Sequence, residues 1–269
     1  MKILSRSYMS IVFALLYAPI LVLVVFSFNE GGSLSSYTGL SFKWYVELFH
    51  DSVALQSLKN SLLLALSSAT IATLIGTFAA LGLDRMRHKA LKTTINSVTN
   101  IPMMNPDIVT GVSMMLLFVA LGGILQLDNV LGRWTMLIAH VTFSLPYVIL
   151  SVLPRFRQFD STLREAALDL GCTPVKSFFK VELPSVLPGV VSGFVMAFTL
   201  SLDDFVISHF VSSPDFQTLP LYIYNQTAHA VKYSMYALCT LIIVTILGLL
   251  LAVNFAGGVG GKKKKEGGK

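Results

Sequence analysis

Between Glu165 and Pro184 the chain reads EAALDLGCTPVKSFFKVELP, a polar, twice-punctuated stretch set among long apolar runs. Thr162 and Glu165 fit the S/T-x-x-E capping box, which satisfies the orphan N–H groups where a helix begins. Leu163, Ala166, Ala167 and Leu170 follow at helical spacing and put one apolar stripe on a short helix. Gly171 is the residue type expected just past a helix end, because it takes positive φ without a Cβ clash. Thr173 and Pro174 then read as the N-cap and first residue of a second short helix. That helix passes through Phe178, Phe179 and Val181, and Pro184 is expected to stop it. The stretch therefore predicts a helix–Gly–helix elbow at a membrane surface.

The spacing E-A-A, three residues, Gly, nine residues, an aliphatic, one residue, Leu-Pro resembles the EAA loop of bacterial ABC-importer permeases. Glu165, Ala166, Ala167, Gly171, Val181, Leu183 and Pro184 occupy its positions, with Val181 where Ile is commoner. The resemblance implies an elbow, spanning residues 160–184, that sits in a groove of a cytoplasmic ATPase and passes its movement to the membrane spans. The bland alternative is an ordinary interfacial helix pair in which Glu165 does nothing beyond capping.

Composition agrees with a membrane setting. Of the 269 residues, 54% are hydrophobic and 13% charged, and the mean hydropathy is +0.71. Soluble domains carry about 25% charged residues, so an all-α polytopic membrane protein is expected, as a single domain over 1–269. Cys172 and Cys239 are too few for a disulfide framework and read as free thiols.

The net charge of +6 does not call for nucleic acid, because the cations follow the positive-inside pattern. With six spans and both termini in the cytoplasm, sixteen of the twenty Lys and Arg residues fall inside. They include Arg85, Arg87, Lys89 and Lys92 in one loop and Arg155 to Lys180 around the elbow. Lys43, Lys59, Arg133 and Lys232 fall outside. This asymmetry puts the elbow in the cytoplasm.

The spans are expected at about 8–28, 62–83, from 95 onward, 134–153, 188–210 and 236–255. The first is long for a signal-peptide core, contains Pro19 and is followed by no A-x-A site, so it reads as an uncleaved span. The external segment 29–59 carries Phe42, Trp44, Tyr45 and Phe49, either an interfacial aromatic belt or a contact surface. Gly76, Ala79, Ala80 and Gly82 give the second span small faces for close helix contact. Pro102 and Pro106 predict a break in the third, where the freed carbonyls must meet protein or water. Gly122-Gly123 and Asp128 suggest an external turn, and Pro146 a kink in the fourth span. The segment 212–233, with Leu219-Pro220-Leu221-Tyr222-Ile223-Tyr224 at its centre, reads equally as a plug or a lid. The tail 257–269, GGVGGKKKKEGGK, is low-complexity and expected to be disordered, anchoring to anionic headgroups.

Asp107, Asp203 and Asp204 fall within spans. A carboxylate near the bilayer centre costs about 2.5–3.5 kcal/mol on the gentlest scale, so each is a functional candidate. Asp203 lies fifteen residues past Pro188, about 22 Å at helical rise, and Asp107 lies fifteen past Lys92. Anions at similar depth, with no Lys or Arg in any span, suit a cationic solute. Adjacent Asp203 and Asp204 point about 100° apart on a helix, so one is free for a path while the other caps or faces a partner. His140 and His209 read as packing residues.

Pro106-Asp107-Ile108-Val109, the run Thr199-Leu200-Ser201-Leu202-Asp203-Asp204, and Thr218 to Tyr224 resemble the second permease subunit of spermidine/putrescine ABC importers, as does Lys43-Trp44-Tyr45. That resemblance covers nearly the whole chain. It implies a type I ABC-importer permease fold in a bacterial inner membrane and a heterodimer with a homologous permease. It also implies two copies of a cytoplasmic ATPase and an extracytoplasmic polyamine-binding protein. The solute path implied runs by Asp107, Asp203, Asp204, Ser201 and Trp44, since a polyamine wants carboxylates for its ammonium groups and aromatic faces for cation–π contact. No G-x-x-x-x-G-K-[ST] motif occurs, so ATP and Mg are expected on the partner ATPase and this chain needs no cofactor. An intramembrane protease is the rival class, but Asp203 follows Ser201-Leu202 rather than a G-x-G setting. A permease for another solute, such as ferric iron, is the alternative within the family.

Overall fold

The apolar runs are helical in the computed structural model. It describes the backbone of residues 2–31, 36–127, 129–227 and 232–262, with side chains from 7 to 248 within those ranges. The helices are α1 (Lys2–Phe26), α2 (Lys43–His50), α3 (Ser52–Arg85), α4 (Lys89–Met104), α5 (Asp107–Leu125) and α6 (Arg133–Gln158). There follow α7 (Ser161–Asp169), α8 (Pro174–Ser177), a π-helical turn (Phe178–Glu182), α9 (Leu183–Asp203), α10 (Val206–Val211), α11 (Leu219–Thr227) and α12 (Ser234–Lys262). Among the described residues only isolated bridges occur outside helices. Among the described residues five stretches are long and apolar enough to cross a membrane: Ser7–Phe26, Ser52–Arg85, Asp107–Leu125, Arg133–Gln158 and Pro174–Asp203. Ser234–Gly248 adds a shorter apolar helix. The fold is that of a six-span, all-α membrane protein.

The chain forms two compact units, 1–56 with 223–269, and 57–222. In the first, α12 packs on α1 and α2. Its loop core is Asn29, whose side chain bonds Ser36 O, Thr38 N and Thr38 Oγ1 at 2.9–3.0 Å. The backbone of α12 stays helical to Lys262, six residues into the tail that the sequence reads as disordered; residues 263–269 lie outside the described residues.

The second unit is built on α6 and α9, which share its most extensive contact. Lipid tails are as apolar as leucine, so helices in a bilayer gain from close packing rather than from burial as such. Gly189 and Gly193, one turn apart on α9, provide it. A methyl at Gly189 would stand 3.0 Å from the Ser151 carbonyl oxygen, and one at Gly193 3.4 Å from Val148 Cα. From α3, Ala65, Ala69, Ala72 and Ala80 are fully buried, and Gly76 leaves room for Val148. Gly82, expected on the same small face, meets nothing within 4 Å.

Several boundaries differ from the sequence reading. Helix α3 begins at Ser52, because Asp51 Oδ1 accepts the Val53 and Ala54 amides and starts the helix ten residues before the apolar run. The third span is broken at the second of its two prolines: Asn105 and Pro106 are extended, between α4 and α5, while Pro102 lies inside α4 and does not interrupt it. No residue of α4 is buried, and α5 alone has the length and hydropathy of a span. Helix α5 runs through Gly122-Gly123 and ends at Gln126, in the left-handed conformation at φ 54°. Gly122 is there for packing, since a methyl on it would collide with Val130. Asp128 lies outside the described residues. The fifth span ends at Asp203, with α10 a separate short helix. The segment after it is pinned to α3, where the Leu219 amide donates to Ser61 Oγ at 2.7 Å and Asn60 Nδ2 donates to Gln217 O at 3.0 Å.

Candidate functional site

The elbow forms with one change at its start. Asp160, not Thr162, is the N-cap of α7: its Oδ1 accepts the Thr162 amide at 3.0 Å and the Thr162 hydroxyl at 2.8 Å. These two bonds, the amide first, hold the Asp160 carboxyl below the usual carboxylate range. Both residues are good caps, and the aspartate two positions earlier supplies the stronger, charged acceptor. Glu165 and Ala166 are left exposed and Ala167 is buried. Helix α7 closes on Gly171 at φ 84°, with Gly171 N–H to Leu168 O at 2.9 Å and Cys172 N–H to Ala167 O at 3.0 Å. That pair of bonds is the Schellman arrangement, which satisfies the last carbonyls of a helix. Thr173 then caps α8, accepting the Lys176 amide at 3.3 Å, with Pro174 in the first turn.

Pro184 does not stop the second helix. A proline lacks an N–H and its ring crowds the carbonyl four residues back. Here the preceding turn widens, with the Leu183 amide bonding Phe178 O five residues earlier, and helical backbone continues from Pro174 to Asp203. Val181 and Leu183 are half-buried at that turn and Pro184 is exposed. Outward from the elbow, Leu170, Val175 and Phe179 are exposed by 86%, 67% and 54%. One residue the sequence reading passed over is fully enclosed here. Glu182 is buried, and both its oxygens accept from Arg85 Nη2 at 2.7 Å.

The span carboxylates separate into two roles. Asp204 is nearly enclosed, its side chain 6% exposed. Its oxygens accept the Ile207 amide at 3.2 Å and the Ser208 amide at 2.8 Å, so it caps α10. His140 Nε2 stands 3.5 Å from Asp204 Oδ2 and 3.3 Å from Ser208 Oγ. His140 Nδ1 meets Ser201 Oγ at 2.7 Å, and Ser68 donates to Ser201 Oγ at 2.9 Å. The chain of donors is self-consistent with a neutral imidazole: Ser68 to Ser201, Ser201 to Nδ1, and Nε2–H toward Asp204. Ser201 is thus a buried link among α3, α6 and α9. The lone-histidine packing reading fits His140, but its partners lie 61 to 68 residues away and no local pattern announces them.

Asp203 and Asp107 are both exposed, at the last residue of α9 and the first of α5. Their neighbourhoods are joined because α5 packs on α10. Gly111, one turn after Asp107, faces Val206, Ile207 and Phe210, and a methyl there would stand 3.4 Å from Val206 O. Trp44 belongs to the other unit and is buried. Its indole N–H donates to Asn29 O at 2.6 Å, Tyr233 packs at 5.1 Å, and Lys43 lies 5.0 Å from the ring centre. A cavity of about 760 Å³, lined by Val119, Asn129, Ser213 and Asp215 among others, opens beyond the end of α5. Among the described residues no cluster of His, Cys, Asp and Glu has metal-site geometry.

Comparison with known proteins follows the same lines. Residues 72–256 match the family described as the binding-protein-dependent transport system inner membrane component. Over 248 residues the chain is 41% identical to the spermidine/putrescine transport system permease protein PotC of Haemophilus influenzae, covering 92% of this chain and 94% of that one. It is 40% identical over 240 residues to the putrescine transport system permease protein PotI of Escherichia coli, covering 88% and 85%. In three dimensions it is similar to a chain of a bacterial ABC transporter involved in alginate import, with a TM-score of 0.73, 16% identity, and 96% and 94% coverage. That likeness carries the fold, the type I ABC-importer permease, and not the solute.

Proposed function

The chain belongs to the family of binding-protein-dependent transport system inner membrane components, and from that premise we propose that it is a permease subunit of an ATP-driven polyamine importer. Half of the solute path is this chain's, and the other half a homologous permease's. Two cytoplasmic ATPase subunits bind ATP and Mg, and an extracytoplasmic binding protein delivers spermidine or putrescine. Both termini lie in the cytoplasm.

The observation that carries the reading is the pair of exposed carboxylates at two helix breaks linked by the α5–α10 contact. A flexible polycation is attracted to such groups one ammonium at a time, and exposed carboxylates hold it weakly enough for release. Asp107 and Asp203 are the resting points. Asp204 and Ser201 shape the path by fixing the second break, and Trp44 shapes the outer segment through Asn29. The elbow's exposed Leu170, Val175 and Phe179 suit an apolar groove on the ATPase, with Glu165 free for a polar contact at its rim.

The test is uptake of labelled spermidine and putrescine by cells lacking and then carrying the complete complex. Uptake restored by the complex, and competed by unlabelled polyamine but not by ferric iron, supports the reading. Competition by iron alone replaces the solute. For the elbow, Gly171→Val should abolish uptake while the membrane retains the protein, because valine is strained at φ 84°.

A further inference from the structure

The elbow is fastened to α3 at two points, four residues apart on its second helix. The first is apolar: Phe178 is buried, its ring 6.1 Å from that of Phe78. The second is ionic: Glu182, 2% exposed, receives both bonds from Arg85 Nη2 at 2.7 Å. Arg85 is the last residue of α3, and its own side chain is 42% exposed. The same end of α3 also holds the start of α4, through Lys92 Nζ donating to Asp84 O at 3.1 Å.

An ion pair whose carboxylate is buried and whose guanidinium is partly solvated gains little stability, since desolvation of the carboxylate offsets its attraction to the cation. What it does impose is registration. A buried carboxylate cannot leave its cation without being stranded, so the two helix ends must shift together. The π-helical turn that carries Glu182 is a place where a helix changes its winding, and such turns recur at functional sites.

We propose that Arg85 and Glu182 are positioning residues that yoke the end of α3 to the coupling elbow, so that movement of the elbow is transmitted to α3 and to the α4–α5 break. This rests on the reading of the elbow as the part the ATPase grips. Neither residue touches solute or nucleotide. The pair sets how much of the elbow's displacement reaches the path.

The experiment uses the complete complex, with partner permease, ATPase and binding protein, in liposomes, and reads spermidine taken up per ATP hydrolysed. Glu182→Gln keeps the size and removes the charge. It should leave binding-protein-stimulated hydrolysis near the parental rate and lower uptake per ATP about fivefold. Arg85→Lys, which keeps a cation in reach, should recover most of the ratio. An unchanged ratio in Glu182→Gln overturns the proposal. If that variant does not assemble, the double variant Arg85→Gln with Glu182→Gln leaves no buried charge and becomes the readout. A lowered ratio in it supports the yoke, and a parental ratio or renewed failure to assemble overturns it, the pair then being structural. Gly171→Val run alongside separates the two readings. If it too behaves as parental, the elbow assignment has failed; if it is inactive while Glu182→Gln is parental, the yoke alone has failed.

Discussion

The two helix breaks that carry the acidic residues are made by different means. Between α4 and α5 the chain is broken by proline chemistry: Pro106 removes a donor, and Asn105 before it is pushed into extended backbone. Between α9 and α10 there is no proline. Asp204 takes up the free amides of α10, and His140, Ser201 and Ser208 brace it from three helices. The first break is local and exposed; the second is made by long-range polar contacts. They also present their carboxylates at opposite helix poles. Asp107 stands at the N-terminus of α5, where the positive end of the helix dipole offsets its field. Asp203 stands at the C-terminus of α9, where the negative end adds to it. A passing cation should therefore feel Asp203 more strongly than Asp107.

The largest effect is expected at the brace. Asp204→Ala strands two buried amides and removes the carboxylate beside His140, a loss of about 3 kcal/mol. It should appear as a lower thermal midpoint and poor recovery of the complex. Asp204→Asn keeps an acceptor and should restore most of both. Equal damage from the two would mean that charge, not capping, holds this break. Next comes the difference in polarity. Asp203→Asn should slow spermidine uptake about tenfold and Asp107→Asn about threefold, with complex recovery unchanged, the gap reflecting the roughly 0.3–1 kcal/mol that a helix end contributes. Reversed or equal rates would remove the helix-pole argument. Pro106→Ala should have a smaller effect, because Asn105 still tolerates extended backbone. A drop in uptake of about twofold is expected, and it should shrink in the presence of excess solute if the break merely sets the depth of Asp107. Smallest is Trp44→Leu, which loses one hydrogen bond of about 1 kcal/mol to Asn29 O. It should lower thermal stability slightly with uptake per assembled complex unchanged. A large loss of uptake would return Trp44 to the solute path.

What the sequence disclosed follows the range of the interactions involved. The proline break was legible because both residues that cause it are consecutive with the helix they interrupt. So were Gly171 and the Thr173-Pro174 start, which act within a turn of themselves. The split between Asp203 and Asp204 was legible as a choice without its answer, since the answer lies with His140 on another helix. Glu182 was hidden for the same reason, its partner being 97 residues upstream. Two local features were misjudged. Thr162 was preferred to Asp160 because the motif rewards Ser or Thr, although the charged acceptor wins when both are present. Gly189 and Gly193 carried the small-x-x-x-small spacing in plain view, but the reading of that span did not take it up.

The wide turn at Phe178–Glu182 has a consequence for how such chains can vary in length. A π turn accommodates one more residue than an α turn, and each residue of an α-helix advances the surface by about 100°. Ser177 and Glu182, five positions apart, are both buried, which a uniform α-helix would place on well-separated azimuths. Everything after the turn is thus dialled by one notch against everything before it. Removing a single residue there, even exposed Lys180, would leave composition nearly untouched and yet rotate the Gly189–Gly193 stripe of α9 off its neighbour. In an alignment of chains of this kind, a one-residue gap between 178 and 182 is a change of phase rather than of length.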